Sequence, residues 1–422
     1  MTDFFAILAY GVLGLIAIFS PLRRARQVVV VVTFLMFVLV HTEVEQSAVA
    51  LLVALAINAF VVMRLGGTAG VPVFLGCALV WAGLREVFAA AQLEAIAVPI
   101  ITALVLILLG GHVRRLGSDI VWSLQVIVVV TVVVQFISGI GERFLGANAP
   151  WPRRDGVTFN IVGSNNLWPE LGGRAMGTMG WAITLGQMMA VCVVLAVWFF
   201  LRSRRWPWLL IAAGGVMVIL LSGTRTGLLM VAAALLVALV ARAKRIWVAL
   251  LLTIGAVGAI AVGPLFLGDL FGFGGDVEGT RSVEHRRLVS GSIPDLLGQS
   301  FGSVLFGHGY DSVPGLLESG VIHGVAGVPV TDNEFIRTLA GLGLLGVLLW
   351  AGAFVFAFLR GTVVIRALVA ALLVGAASYD TLTWRSLLIT TVVVLSMNFD
   401  TIGQDLPTKV RARRVSASRA PA

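Results

Sequence analysis

Apolar runs of membrane-spanning length recur along almost the whole chain, and no other feature constrains the fold as strongly. A backbone inside a bilayer must satisfy its own hydrogen bonds, so such runs form helices or closed barrels. About thirteen runs, each near the roughly 20 residues that a transmembrane helix needs, are centred near residues 12, 34, 55, 78, 103, 128, 190, 214, 234, 256, 347, 370 and 393. Only 12% of the 422 residues are charged. We therefore predict an all-α polytopic membrane protein with about 12–13 transmembrane helices.

The runs and the polar stretches between them divide the chain into six parts. We expect N-terminal transmembrane helices in 1–140, a first extracytoplasmic segment in 141–177, central transmembrane helices in 178–267, a long and partly helical extracytoplasmic loop in 268–334, C-terminal transmembrane helices in 335–403 and a basic cytoplasmic tail in 404–422. A loop as long as the one before residue 334 is usually functional or disordered. The first apolar run is expected to be a retained helix, since no basic residue precedes it.

Basic residues are concentrated in alternate connections, for example at 23–26, 114–115, 202–205 and 242–245, and in the tail. Cytoplasmic connections are enriched in Lys and Arg, so we expect the N-terminus outside and the C-terminus in the cytoplasm. The net charge of +9 then reflects topology, and we expect no nucleic-acid partner. The opposite connections contain arginine but no lysine. Arginine binds phosphate through two parallel hydrogen bonds; the alternative is that these arginines pair with neighbouring acids.

Two short polar patches lie where apolar runs meet the predicted outer surface. Arg225 lies in the tight turn 221–227, whose backbone N–H groups can join it around an anion. Arg174 precedes Gly177 just before the next apolar run. The alternative for both is an interfacial arginine that contacts lipid phosphate.

Two further patches lie in and after the long loop. Arg286 and Arg287 precede a Gly307-His308-Gly309 turn, in which His308 is either a base or an ordinary turn residue. The loop histidines lack metal-ligand spacing, so we predict no metal site.

The fourth patch, Asp332-Asn333-Glu334, begins the next apolar run. Its acids are candidates for catalysis, the alternative being a helix N-cap and a first-turn acid. The glycines of 341–346 match a dinucleotide-binding pattern but lie inside an apolar run, which favours close helix packing.

Taken in order, the four patches resemble the O-antigen ligase and O-antigen polymerase superfamily of bacterial membrane glycosyltransferases. The family's Arg-x-x-Gly matches Arg174 and Gly177, and its Ser/Thr-Arg-x-Gly turn matches 224–227. Its loop arginine matches Arg286 or Arg287, and its polar pair ahead of Gly-x-x-Gly matches 332–333. Ligases carry a histidine at the position of Asp332 and often a Pro-Asn near 181–183, where this chain has Trp-Ala-Ile. These departures favour a polymerase or a divergent ligase-like enzyme.

The resemblance implies transfer of glycan from a polyprenyl-diphosphate-linked donor to a hydroxyl of an acceptor glycan, lipid or protein, at the outer face of the bacterial cytoplasmic membrane. It implies neither a metal nor another cofactor. The implied substrate-binding residues are Arg174, Arg225, Arg286, Arg287 and Asn333, and the candidate catalytic residues are Asp332, Glu334 and His308. We hypothesise an inverting displacement at the anomeric carbon. A ligase, or a transporter of lipid-linked sugar, is the alternative; a transporter would be expected to have broken, charged helices.

Overall fold

The computed structural model describes residues 11–12, 14–22, 24–39, 44–89, 93–147, 165, 167–243, 245–261, 277–325 and 330–397. Every regular element in these ranges is helical, and no strand occurs among them. The predicted all-α membrane fold is thereby confirmed. Residues 148–164, the first part of the long loop at 268–276 and the basic tail at 404–422 lie outside the described residues.

The helices of the first half follow one another with short connections. They are α1 (Ala25–Leu39), α2 (Val44–Leu65), α3 (Val73–Ala89), α4 (Leu93–Leu116) and α5 (Ile120–Phe144). A single 3-10 turn, Gly117–Asp119, joins α4 to α5.

The second half has long helices on either side of several short ones. The helices before the loop are α6 (Ala182–Ser203), α7 (Pro207–Ser222), α8 (Arg225–Arg242) and α9 (Ile246–Ala261). Those of the loop are α10 (Val277–Gly291), α11 (Ile293–Leu297), α12 (Phe301–Phe306) and α13 (Val313–Glu318). Those after the loop are α14 (Glu334–Arg360), α15 (Val363–Ser378) and α16 (Arg385–Ser396). The described part of the loop is therefore partly helical, as predicted.

Four helical stretches are long and apolar enough to cross a membrane, and several shorter apolar helices accompany them. The four are Ala97–Phe144, Ala182–Ser203, Arg225–Arg242 and Glu334–Arg360. The centres of all the predicted apolar runs after the first lie within described helices. The sequence pattern therefore located the helices correctly, because apolar length is a local property of the chain.

The centre of the bundle is formed by α6 and α15, whose side chains are buried on almost every face. Around them, α15 contacts α8, α9 and α14, while α6 contacts α7 and α8. Small residues permit these close approaches: a side chain on Gly375 would meet Met230 Sδ at 3.2 Å.

Regular helical structure is interrupted at two places in the C-terminal part of the chain, inside α14 and between α15 and α16. Gly343 inside α14 has non-helical angles (φ 70°, ψ −172°). Helix α16 has 12 residues, about 18 Å at the α-helical rise, and the irregular segment 379–384 before it is largely buried. Irregular backbone is tolerated at membrane depth where protein surrounds it.

Candidate functional site

The first two arginine patches contact each other at one end of the bundle, where α7 ends and α8 begins. Arg174 donates from Nε to the carbonyl of Ser222 (2.7 Å) and from a terminal nitrogen to Thr224 Oγ1 (3.2 Å). Asn165 Nδ2 donates to the carbonyl of Leu220 (2.8 Å). The last carbonyls of a helix have no partner within it, so these side chains cap α7 and fix the half-buried Arg174 against the turn.

Arg225, the other arginine of these patches, is placed differently. It is the first residue of α8, and its side chain is exposed. Thr224, immediately before it, is buried and its hydroxyl donates to the carbonyl of Ala182 (2.9 Å). The turn is therefore anchored by its threonine and by Arg174, while Arg225 extends from its surface.

Asp332 lies at the same end of the bundle, where the fourth patch contacts the third. Its Oδ2 is 3.8 Å from Nε of Arg286, on α10. Another guanidinium nitrogen of Arg286 donates to the carbonyl of Ser378 at 3.4 Å. The neighbouring Arg287 is exposed, so of the two loop arginines it is Arg286 that the structure brings to Asp332.

Residues of the first and third patches influence the pKa of Asp332. Burial raises the pKa of this carboxyl; Arg286 lowers it, Asp380 raises it, and His285 and Arg174 lower it less. Arg174 and Arg286, which are separated by a large part of the chain, therefore act on the same carboxylate. A carboxylate with a raised pKa is a stronger base than an ordinary one.

Asp380, in the buried irregular segment after α15, is a functional candidate that sequence reasoning missed. Its carboxylate accepts from the backbone N–H groups of Thr331 (3.1 Å) and Asn333 (3.2 Å) and from the Thr331 hydroxyl. It also pairs with Arg337 of α14 at 3.0 Å. The available signal was an acid interrupting an apolar run, which in membrane proteins marks functional positions by default.

Glu334 and Asn333 are both engaged by neighbouring groups. The two oxygens of Glu334 accept from Tyr310 Oη (3.2 Å), Thr338 Oγ1 (3.0 Å) and the Leu382 N–H (2.7 Å). Asn333 Oδ1 accepts from the N–H groups of 335 (3.0 Å) and 336 (3.4 Å). The helix N-cap is therefore Asn333 and not Asp332, while Glu334 is the buried first-turn acid of the alternative interpretation.

His308 lies in a loop segment that packs into the break of α14. Its N–H donates to the carbonyl of Ala340 (2.9 Å), and that of Gly309 donates to Gly341 (2.7 Å). A side chain on Gly307 would come within 2.3 Å of the Gly341 oxygen. The glycine run of α14 therefore admits a loop backbone, where the sequence reading favoured helix packing.

The His308 side chain is directed to another partner. Its Nε2 lies 2.5 Å from Gln299 Oε1, and burial, followed by Arg85, lowers its pKa. Arg85 also donates to the carbonyl of Gly307 at 2.7 Å. Among the described residues the ring of His308 contacts Gln299, and its role as a catalytic base stays a prediction.

Aromatic rings and a cavity border the acidic cluster. The ring of Trp384 stacks with those of Trp181 (5.8 Å between centroids) and Tyr379 (5.9 Å). A cavity of about 120 Å³ between α14 and α15 has Glu334 and Thr381 at its edge and is otherwise mainly apolar. The site therefore combines charge, aromatic surface and apolar space.

Within the described residues, no group of three His, Cys, Asp or Glu side chains is arranged to hold a metal ion. No known protein family matches this sequence, and no curated protein matches it. Only the chemistry of the groups around Asp332 therefore indicates a function for this protein.

Proposed function

We propose that this protein is a metal-independent membrane glycosyltransferase of the polysaccharide polymerase type. The donor is a polyprenyl-diphosphate-linked glycan, and the acceptor is a hydroxyl of a growing glycan. In this proposal the Asp332 end of the bundle is at the outer face of a bacterial cytoplasmic membrane, with the N-terminus outside and the C-terminus inside. The observation that carries the proposal is that Arg286 lies 3.8 Å from the carboxylate of Asp332; Arg174 caps a neighbouring turn at the same end of the bundle.

The chemistry follows from the charges. The bond from the anomeric carbon to the diphosphate breaks with its electron pair on the leaving oxygen, so positive charge near that oxygen lowers the barrier. Arg286 has a buried Nε that makes no hydrogen bond within the described part of the chain. That donor and the half-buried Arg174 are suited to a diphosphate, which accepts bidentate hydrogen bonds.

Asp332 supplies the base. The acceptor oxygen forms its bond to the anomeric carbon from the face opposite the diphosphate, and its proton passes to the Asp332 carboxylate. Burial raises the pKa of that carboxyl, which increases its proton affinity in the transition state. The expected product has the anomeric configuration opposite to that of the donor.

Transfer by purified protein in nanodiscs, supplied with polyprenyl-diphosphate-linked oligosaccharide, tests the proposal. A ladder of longer lipid-linked products is expected from wild type and from Asp295→Asn, an exposed acid of the same loop, but not from Asp332→Asn. A single transfer to a lipid or protein acceptor would instead indicate a ligase. Full activity of Asp332→Asn would contradict the assigned base.

A transporter of lipid-linked sugar is the second candidate, and the broken helices favour it. Transporters bind substrate at discontinuous helices, and both α14 and the α15–α16 connection are interrupted. Proteoliposomes loaded with a labelled lipid-linked sugar decide between the two. Movement of label across the bilayer without any change in glycan length would replace the enzyme proposal.

A further inference from the structure

Asp332 has a left-handed backbone conformation, which Asp adopts more readily than most residues but still uncommonly. Its φ of 48° lies in the left-handed region, which side-chain-bearing residues rarely occupy and which persists only when surrounding contacts impose it. Arg204 is the other non-glycine residue with positive φ among those described, and it forms the ordinary left-handed end of α6. Asp332 is not at a helix end of that kind, so other contacts must hold it.

The contacts that hold it come from Asp380. The N–H groups of Thr331 and Asn333, on either side of Asp332, both donate to this one carboxylate at 3.1 and 3.2 Å. The Thr331 hydroxyl donates to it as well. The buried carboxylate of Asp380 therefore binds the N–H groups of the residues before and after Asp332 and closes the turn between them.

The same segment also fixes the partner of Asp332. Ser378, two residues before Asp380, accepts from Arg286 through its carbonyl at 3.4 Å. Arg337, in the first turn of α14, pairs with Asp380 at 3.0 Å and places its guanidinium over the Tyr310 ring at 5.7 Å. A buried carboxylate needs such a partner, because an unpaired buried charge is strongly unfavourable.

We propose that Asp380 is a positioning residue: it holds Asp332 in the left-handed conformation that directs its carboxylate toward Arg286, while Arg337 neutralises Asp380. The effect on turnover rests on the proposed transferase function; the effect on the backbone of the turn does not. Misplacing a catalytic group by about 1 Å can reduce the rate by about 10²-fold, so loss of the turn should reduce kcat more than it changes the donor KM.

The pH dependence of activity distinguishes a residue that positions Asp332 from a residue that only stabilises the fold. The titratable and charged groups that influence Asp332 are Arg286 and His285 from α10, Asp380 from the segment after α15, and Arg174 from the segment before α6. The charge of Asp380 raises the pKa of Asp332. Removing that charge lowers this pKa, so the pH below which activity falls should move to lower values.

The test compares wild type with Asp380→Asn, Asp380→Glu and the control Asp295→Asn, as full-length proteins in nanodiscs. We expect kcat of Asp380→Asn to fall by about 10²-fold, with the donor KM within about twofold. Its acid limb should move to lower pH, and Asp380→Glu should recover part of kcat. Hydrogen exchange at the amides of Thr331 and Asn333 should become faster in Asp380→Asn alone.

The outcomes are distinguishable. An active wild type with unchanged kcat, acid limb and exchange in Asp380→Asn would overturn the positioning role and leave the transferase intact. An inactive wild type would overturn the transferase, while faster exchange in Asp380→Asn would still support positioning. If Asp380→Asn fails to fold, Thr331→Val removes the hydroxyl that contacts Asp380 and the Asn333 carbonyl. It should lower kcat severalfold, and unchanged exchange at Asn333 in that variant would contradict the proposal.

Discussion

In two turns at the same end of the bundle, a buried acid accepts hydrogen bonds from the backbone, but the turns carry different ionisable residues. In the first, Glu142 of α5 accepts from the N–H groups of Met176 (2.8 Å) and Gly177 (2.7 Å), just after Arg174. In the second, Asp380 accepts from the N–H groups on both sides of Asp332. In each, a buried acid from another segment holds a turn that carries an ionisable side chain.

The two turns differ in the residue at the left-handed position. The first has Gly177 there (φ 57°), and the second has Asp332 (φ 48°). Glycine occupies this conformation without strain, whereas other residues pay a steric penalty. The comparison indicates that a carboxylate is kept at a position whose backbone conformation favours glycine, as is typical of functional sites. Substitutions in and around the two turns test that difference.

The largest expected effect comes from Asp332→Asn. Asparagine tolerates the left-handed conformation, so the turn should remain folded while the proton acceptor is lost. We expect transfer to fall by about 10²–10⁴-fold, the usual contribution of a general base. Product ladders from the nanodisc assay measure this, with Asp295→Asn as the matched control. Normal expression with wild-type transfer would show that the carboxylate of Asp332 is not the base.

The second-largest expected effect distinguishes two adjacent arginines of the long loop, Arg286 and Arg287. Arg286→Gln should reduce transfer by about 10²-fold, as loss of a transition-state charge contact does. Arg287→Gln is the matched control, because its side chain is exposed and it should retain wild-type rates. Initial rates at saturating donor make the comparison. Equal losses in both variants would indicate a general effect of loop charge.

Thermal stability tests the glycine comparison directly. A side chain on Gly177 would lie 2.2 Å from Gln135 Oε1, so Gly177→Ala should lower the free energy of unfolding by about 1–3 kcal/mol. Asp332→Gly relieves the strain at φ 48° but loses an ion pair, and its melting temperature should stay close to wild type. Melting curves in detergent measure both. A large drop in Asp332→Gly would mean that its carboxylate mainly stabilises the fold.

The smallest effect is a shift in pH dependence. Burial raises the pKa of Asp332 and Arg286 lowers it, and the base acts in its ionised form. The rate should fall as pH falls through that pKa, and Arg286→Gln should raise the pKa and move this limb to higher pH. The direction is opposite to that expected for Asp380→Asn. Identical limbs in wild type and both variants would exclude Asp332 as the titrating group.

The sequence by itself determined the helices and indicated the polar turns that are candidates for function. Apolar length fixes where helices form, because each satisfies its own backbone hydrogen bonds inside a bilayer. Arg174, Asp332 and the loop arginines were identified as candidates because polar groups next to apolar runs are unusual. Their roles as substrate-binding and catalytic residues remain predictions.

Only the tertiary structure decided which candidates meet. Successive residues on a helix point about 100° apart, so packing directs Arg286 toward Asp332 and leaves its neighbour Arg287 exposed. Asp380 lies 47 residues from Asn333, and no local pattern relates the two. Their contact exists because α14 and α15 pack together and bring the start of one beside the end of the other, which is a property of the folded bundle.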